Sequence, residues 1–141
     1  MFDVDTCICF ITNKVSKKMA DKMNEKLVLV GSTRVQWLVM YYLLKYGKMS
    51  QRDLGEKMDI KDSTVVRLID RMEKEQFVER AKDAKDRRIT YVTLTEKGKK
   101  RIDELLPIGE EMSKVFSSNI SEEEFEIFNN VLNKMAENAE G

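Results

Sequence analysis

In "SQRDLGEKMDIKDSTVVRLIDRMEKEQF", residues 50–77, two short amphipathic segments follow one another with only a tight joint between them. Ser50 with Asp53 three residues later is a helix-start pattern, and Leu54 and Met58 share a face at i, i+4. In the second segment Val65, Leu68, Ile69 and Met72 fall at i, i+3, i+4 and i+7, while Ser63, Thr64, Arg67, Arg71 and Lys74 take the opposite face. Two such helices, the second wet and basic on one side, predict a helix-turn-helix. The runs Phe77–Ala81 and Ile89–Thr95 are rich in β-formers and are split by the charge block "KDAKDRR", which predicts a hairpin. A helix-turn-helix that runs into a hairpin is a winged helix.

Helices are predicted on both sides of this centre. Residues 5–29 repeat Cys7, Ile11, Val15, Met19 and Met23 every four positions, and Gly31-Ser32 ends the run. "TRVQWLVMYYLLKYG" is apolar nearly all round from Val35 to Leu44, as a helix packed from several sides would be, with Gly47 as its stop. From Thr95 the chain returns to helix with Pro107 placed to kink it. Ser121 with Glu124 forms a capping box ahead of a last helix through Phe125, Ile127, Phe128, Val131, Leu132 and Met135. The predicted order is α-α-α-α-β-β-α-α: a mainly α chain with a small β-hairpin wing. The first and last helices carry more apolar surface than a lone surface helix needs, which suggests packing on a second copy of the chain.

Net charge is formally zero, but its distribution is uneven. Residues 45–101 hold 17 Lys and Arg against 11 Asp and Glu, whereas residues 102–141 hold 2 against 10. A basic centre points to a polyanionic partner. The absence of His removes the commonest general base and zinc ligand, and no Gly-rich phosphate loop or paired-Cys zinc spacing is present. No catalysis, metal or cofactor is expected. The initial apolar run is too short for a signal sequence and no segment is long enough to span a bilayer. Two cysteines form no disulfide framework, so a cytoplasmic chain without membrane contact is expected.

The stretch "STVVRLIDRMEKEQFVERAKDAKDRRITYVTLTEKGKK", with the order and length of the chain, resembles the MarR family of dimeric winged-helix transcription regulators. The resemblance lies in Leu68 and Asp70 to Lys74, in Val78-Glu79-Arg80, in Asp86-Arg87-Arg88 and in Val92 to Gly98. It covers nearly the whole chain. One departure is Gln76, where the family usually carries Gly after its recognition helix; a side chain there costs strain or shifts the turn.

The resemblance implies one domain over 1–141, with dimerisation helices in 1–31 and 102–141 around a DNA-binding lobe at 33–101. The helix from Asp62 to Glu75 would enter the major groove of double-stranded DNA, with Asp62, Ser63, Thr64, Arg67 and Arg71 as candidate contacts. Arg67 is best suited to read guanine. Gln51, Arg52 and Lys61 would sit on the backbone. In the wing, Arg88 would reach the minor groove with Asp86 holding its guanidinium, while Lys82, Lys85 and Arg87 would serve phosphates. The two wing acids are thus expected to arrange its bases.

Two further features stay open. In the organic-hydroperoxide-sensing branch of the family a reactive Cys lies near Cys9, poised by tyrosine hydroxyls, but the matching positions here are Met23 and Arg34. On a helix, Cys7 and Cys9 would point about 200° apart and could not bridge. Cys9 is therefore either a redox site or a packing residue. Met19, Met23, Trp37, Met40 and Tyr41 either line a cleft for a small aromatic or phenolic effector or belong to the core. Taken together, the residues predict a homodimeric, sequence-specific repressor on a near-palindromic operator, released by a ligand or by oxidation. The alternatives are a winged-helix protein-interaction module and a thiol-based sensor using Cys9.

Overall fold

A computed structural model describes residues 1–141 throughout. A 3-10 turn at Val4–Thr6 leads into α1 (Ile8–Val28) and α2 (Arg34–Tyr46), and β1 (Met49–Ser50) precedes α3 (Gln51–Met58) and α4 (Asp62–Lys74). Strands β2 (Val78–Lys82) and β3 (Thr90–Leu94) follow, then α5 (Glu96–Phe116) and α6 (Glu122–Glu140). The predicted α-α-α-α-β-β-α-α order is the observed one, with β1 added. The sheet is antiparallel in the order β1-β3-β2, with Met49 opposite Val92 and Arg80 opposite the same residue on the other side.

The chain divides into two compact units, Met1–Glu110 and Glu111–Gly141. The first holds a core of Leu27, Val39, Met40, Leu43, Leu54, Val65, Ile69, Met72, Val78, Val92, Ile102 and Leu105. The α4 residues that share a face by spacing all take part: Val65, Ile69 and Met72 are buried and Leu68 is half-buried. In the second unit, Ser121 accepts from the Glu124 amide at 3.1 Å and Glu124 accepts from the Ser121 amide at 3.0 Å, so the capping box is formed. No α6 residue is buried within the chain.

Two local expectations need correction. The segment predicted as one helix from residue 5 starts as an isolated turn, and Cys7 is the extended N-cap of α1 rather than a helical residue. The 200° separation from Cys9 therefore does not apply. α2 is not enclosed on all sides: Gln36, Val39, Met40 and Leu43 are buried, but Val35 and Leu44 are exposed. α5 passes through Pro107 as a single helix. Pro107 has no N–H to offer the Asp103 carbonyl one turn earlier, and beside that turn the Leu105 carbonyl accepts the Trp37 indole N–H at 2.9 Å.

The joints around α4 are tight. At Gly55 an added Cβ would meet Val65 at 3.1 Å and the Ile60 carbonyl at 3.2 Å, so a bare α-carbon lets α3 and α4 cross closely. α4 ends with the Phe77 amide donating to the Met72 carbonyl and the Gln76 amide to the Glu73 carbonyl, a Schellman closure. That closure sets Gln76 at φ 66°, in the left-handed region that glycine occupies without strain. Gln76→Gly is accordingly expected to raise the unfolding free energy by about 1 kcal/mol in urea denaturation, the relief of left-handed strain outweighing the added freedom of the unfolded chain.

Candidate nucleic-acid interface

The start of α3, the first turns of α4 and the base of the wing enclose a groove of about 690 Å³. Its lining includes Gln51 and Arg52 from α3, Asp62 and Val66 from α4, and Asp86, Arg88 and Tyr91 from the hairpin. Ser50 caps α3 by accepting the Asp53 amide at 3.0 Å, which fixes the turn that presents Gln51 and Arg52. The burial of Val65, Ile69 and Met72 turns Asp62, Ser63, Thr64, Arg67 and Arg71 outward, and all five are exposed. Lys61, the N-cap of α4, is exposed as well.

The wing is ordered by its acids, but not both in the same way. Asp86 accepts from the Arg88 Nε and Nη2, each at 3.0 Å, and from the Arg88 amide at 3.1 Å. This two-pronged grip leaves the Arg88 side chain 91% exposed. The Arg88 hydrogen bonds hold the Asp86 carboxyl below its ordinary range. Asp83 works on backbone instead. It accepts the Lys85 amide at 2.8 Å and the Asp86 amide at 3.0 Å, and these bonds lower its own pKa. The expectation that both acids arrange bases is therefore corrected: Asp86 orients Arg88, and Asp83 folds the turn on which Asp86 stands. Lys82, Lys85 and Arg87 are exposed beside it.

Arg80 is the residue whose role the spacing left unread. The period of two in β2 puts Val78, Arg80 and Lys82 on one side, where Val78 is buried and Arg80 meets α4. Its guanidinium donates to Glu73 at 3.0 and 3.3 Å, pairs with Asp70 at 2.5 Å and reaches the Gln51 amide oxygen at 3.4 Å. The Arg80 amide also donates to Glu73 at 3.0 Å. One side chain thus ties the wing to the recognition helix and to the start of α3. Gln51, expected on the DNA backbone, turns its oxygen toward this clamp, which leaves its amide N–H₂ for other partners.

The Arg80 hydrogen bonds lower the Glu73 carboxyl below its ordinary value of 4.5. A depressed carboxylate contributes stability that is present above its unfolded pKa and lost as pH falls through the folded one. Glu73→Gln is therefore expected to cost about 1 kcal/mol at pH 7. In urea titrations the gap from the parent chain should shrink as pH drops below about 4.5.

The expected effector cleft looks different in place. Met40 lies in the core, Met23, Trp37 and Tyr41 pack at its margin, and Met19 is exposed. Trp37 stacks on Tyr41 with ring centres 5.3 Å apart. Its indole also lies where a Cβ on Gly109 would be, 2.5 Å from the nearest ring atom. Cys9 is exposed in the first turn of α1 and Cys7 is half-buried.

Comparison with known proteins places this geometry. Residues 32–90, which run from just before α2 to the first residue of β3, match the model of the MarR family. The HTH-type transcriptional regulator SarZ of Staphylococcus aureus is 31% identical over 133 residues, covering 93% of this chain and 88% of that protein. This chain belongs to the MarR family. It is a winged-helix transcription regulator and not an enzyme, as that membership requires. Among other MarR-type relatives, the HTH-type transcriptional repressor MdtR of Bacillus subtilis is 27% identical over 140 residues, 99% of this chain and 88% of that one. The structure of the Staphylococcus aureus MepR–DNA complex matches with a TM-score of 0.85 at 27% identity, covering 94% of this MarR-family chain and 98% of MepR. No helix is long and apolar enough to cross a membrane.

Proposed function

We propose that this MarR-family chain is a homodimeric, sequence-specific reader of double-stranded DNA that acts as a repressor. The observation that carries the reading is the groove. It unites the α3 start, the first turns of α4 and an Arg88 already oriented by Asp86, so that a phosphate strand running along it meets Arg52 from α3 and Arg88 from the wing. Ser63, Thr64, Arg67 and Arg71 are assigned to the major groove, and Arg67, whose side chain has no partner within the chain, to guanine. Lys61, Arg52, Lys82, Lys85 and Arg87 are assigned to phosphates. The MepR complex supports docking of this fold on a duplex.

Dimerisation is supported by apolar side chains left exposed on two helices. α1 shows Ile8, Phe10, Ile11, Val15 and Met19, and α6 shows Ile127, Phe128, Val131 and Leu132. Apolar side chains left exposed in number along each of these helices call for a partner. Two protomers then present two recognition helices to half-sites about 34–36 Å apart, or a multiple of that, on a near-palindrome. Release by an aromatic acid or by oxidation at Cys9 belongs to the same reading; the exposure of Cys9 supports access of an oxidant to its thiol.

The test is binding to a fluorescent duplex from the protein's own promoter, followed against salt, with the mass of the free protein measured in parallel. Nanomolar binding that weakens steeply with salt, by a protein of twice the 16.5 kDa chain mass, is expected. Weak binding with equal affinity for unrelated duplexes, both there and on genomic fragments, would instead favour a winged-helix module that docks on protein.

A further inference from the structure

The outward side of α4 contains one side chain that does not fit a phosphate-binding surface. Val66 is 38% exposed and lines the groove between recognition helix and wing. Every other exposed α4 residue is polar or charged. Val65, its neighbour, is buried in the core, so Val66 is not required for packing there. A β-branched residue at a solvated helix position also loses rotamer freedom, and Lys or Glu would serve the helix better.

Position narrows the role. Val66 lies one turn beyond Asp62 and Ser63 and beside Arg67, in the half of α4 that the proposed docking sends deepest into the major groove. Among the groups a base pair shows in that groove, the 5-methyl of thymine is the one apolar substituent that projects from the base edge. That methyl projects next to the sugar-phosphate strand of its own nucleotide, and the Val66 flank of α4 faces the groove in which that strand would run. The side chain can neither donate nor accept a hydrogen bond, so it discriminates only through this contact and through the unpaired amino or carbonyl groups it would strand on other bases.

We propose that Val66 is a specificity-determining residue that reads the 5-methyl group of one thymine in each half-site. The inference rests on the proposed DNA reading and deepens it. Removing one methyl from a buried apolar contact is worth about a fourfold loss of affinity at each half-site, and correspondingly more when both are changed.

The experiment uses the full chain and a duplex selected from random sequence for tight binding. Each thymine within the protected region is replaced in turn by deoxyuridine, which keeps the base pair and deletes only the methyl. At one position per half-site the swap is expected to weaken the parent protein about fourfold. Val66→Ala should bind the thymine duplex more weakly and be indifferent to the same swap. A tightly bound, selected duplex at which no deoxyuridine separates the parent from Val66→Ala would overturn the Val66 assignment and leave the DNA reading standing. Failure to select any duplex would overturn both. Because Val66 is exposed, the melting temperature of Val66→Ala should match the parent, and the deoxyuridine series on the parent needs no variant at all.

Discussion

Gly98→Ala is expected to be the most damaging single-methyl change in the chain, lowering the unfolding free energy by about 3 kcal/mol and the melting temperature by roughly 10 °C. An ideal Cβ at this position falls 2.1 Å from the Phe77 carbonyl oxygen and 2.9 Å from Leu94. The oxygen has nowhere to go, because it accepts the Thr95 amide at 3.1 Å. Thr95 in turn accepts the Gly98 amide at 3.0 Å and donates its hydroxyl to the Gln76 carbonyl at 2.5 Å, while Lys97 reaches the Glu75 carbonyl at 2.8 Å. The end of α4 and the start of α5 are therefore one hydrogen-bonded joint with a backbone contact at its centre. A methyl group there moves a helix rather than a side chain. Thermal unfolding followed by circular dichroism reads the effect. A Gly98→Ala protein that melts with the parent would show that the close approach is not maintained in solution.

Arg88→Ala should weaken binding to a selected duplex by about tenfold per half-site and make the logarithmic salt dependence shallower by about one for each wing withdrawn. Asp86→Ala separates orientation from charge. The Asp86 carboxylate now fixes Arg88 through both oxygens and through its amide. Without it the cation remains but sweeps many directions, so the ordering cost moves to the binding step. Asp86→Ala is expected to lose affinity for the selected duplex while holding or gaining affinity for unrelated DNA, since a negative charge has left the surface. A fluorescence titration of both duplexes at two salt concentrations distinguishes the two variants. Equal gains on selected and unrelated DNA for Asp86→Ala would mean that Asp86 contributes charge and nothing more.

The sequence made the helix-turn-helix and the wing legible because both depend on local period: 3.6 in Val65, Ile69 and Met72, and 2 in the hairpin strands. The caps at Ser50 and Ser121 were legible for the same reason, since donor and acceptor lie three residues apart. What depends on pairing across elements was not. Arg80 could be placed in a motif but not given a partner, because Glu73, Asp70 and Gln51 reach it only through tertiary packing of α3, α4 and β2. Strand β1 is two residues long, too short to show any alternation, and exists because Met49 and Ser50 pair with Val92 and Tyr91. Cys7 looked helical by spacing from Ile11, yet it is extended at the N-cap. The cleft reading of Trp37 and Tyr41 drew on side-chain type alone; the bond to Leu105 and the contact at Gly109 lie at a sequence distance that composition cannot bridge. For Gln76 the strain expected from the missing glycine is visible as a positive φ.

The most direct measurement is selection of duplexes from a random-sequence pool by the 141-residue chain, with the enriched sequences scanned for symmetry. Two inverted copies of a short half-site, with centres about one helical turn of ~10 base pairs apart or a multiple of it, are expected. Enrichment of no common sequence, or of a lone half-site bound with one chain per duplex, would contradict a dimeric reader of a near-palindromic operator.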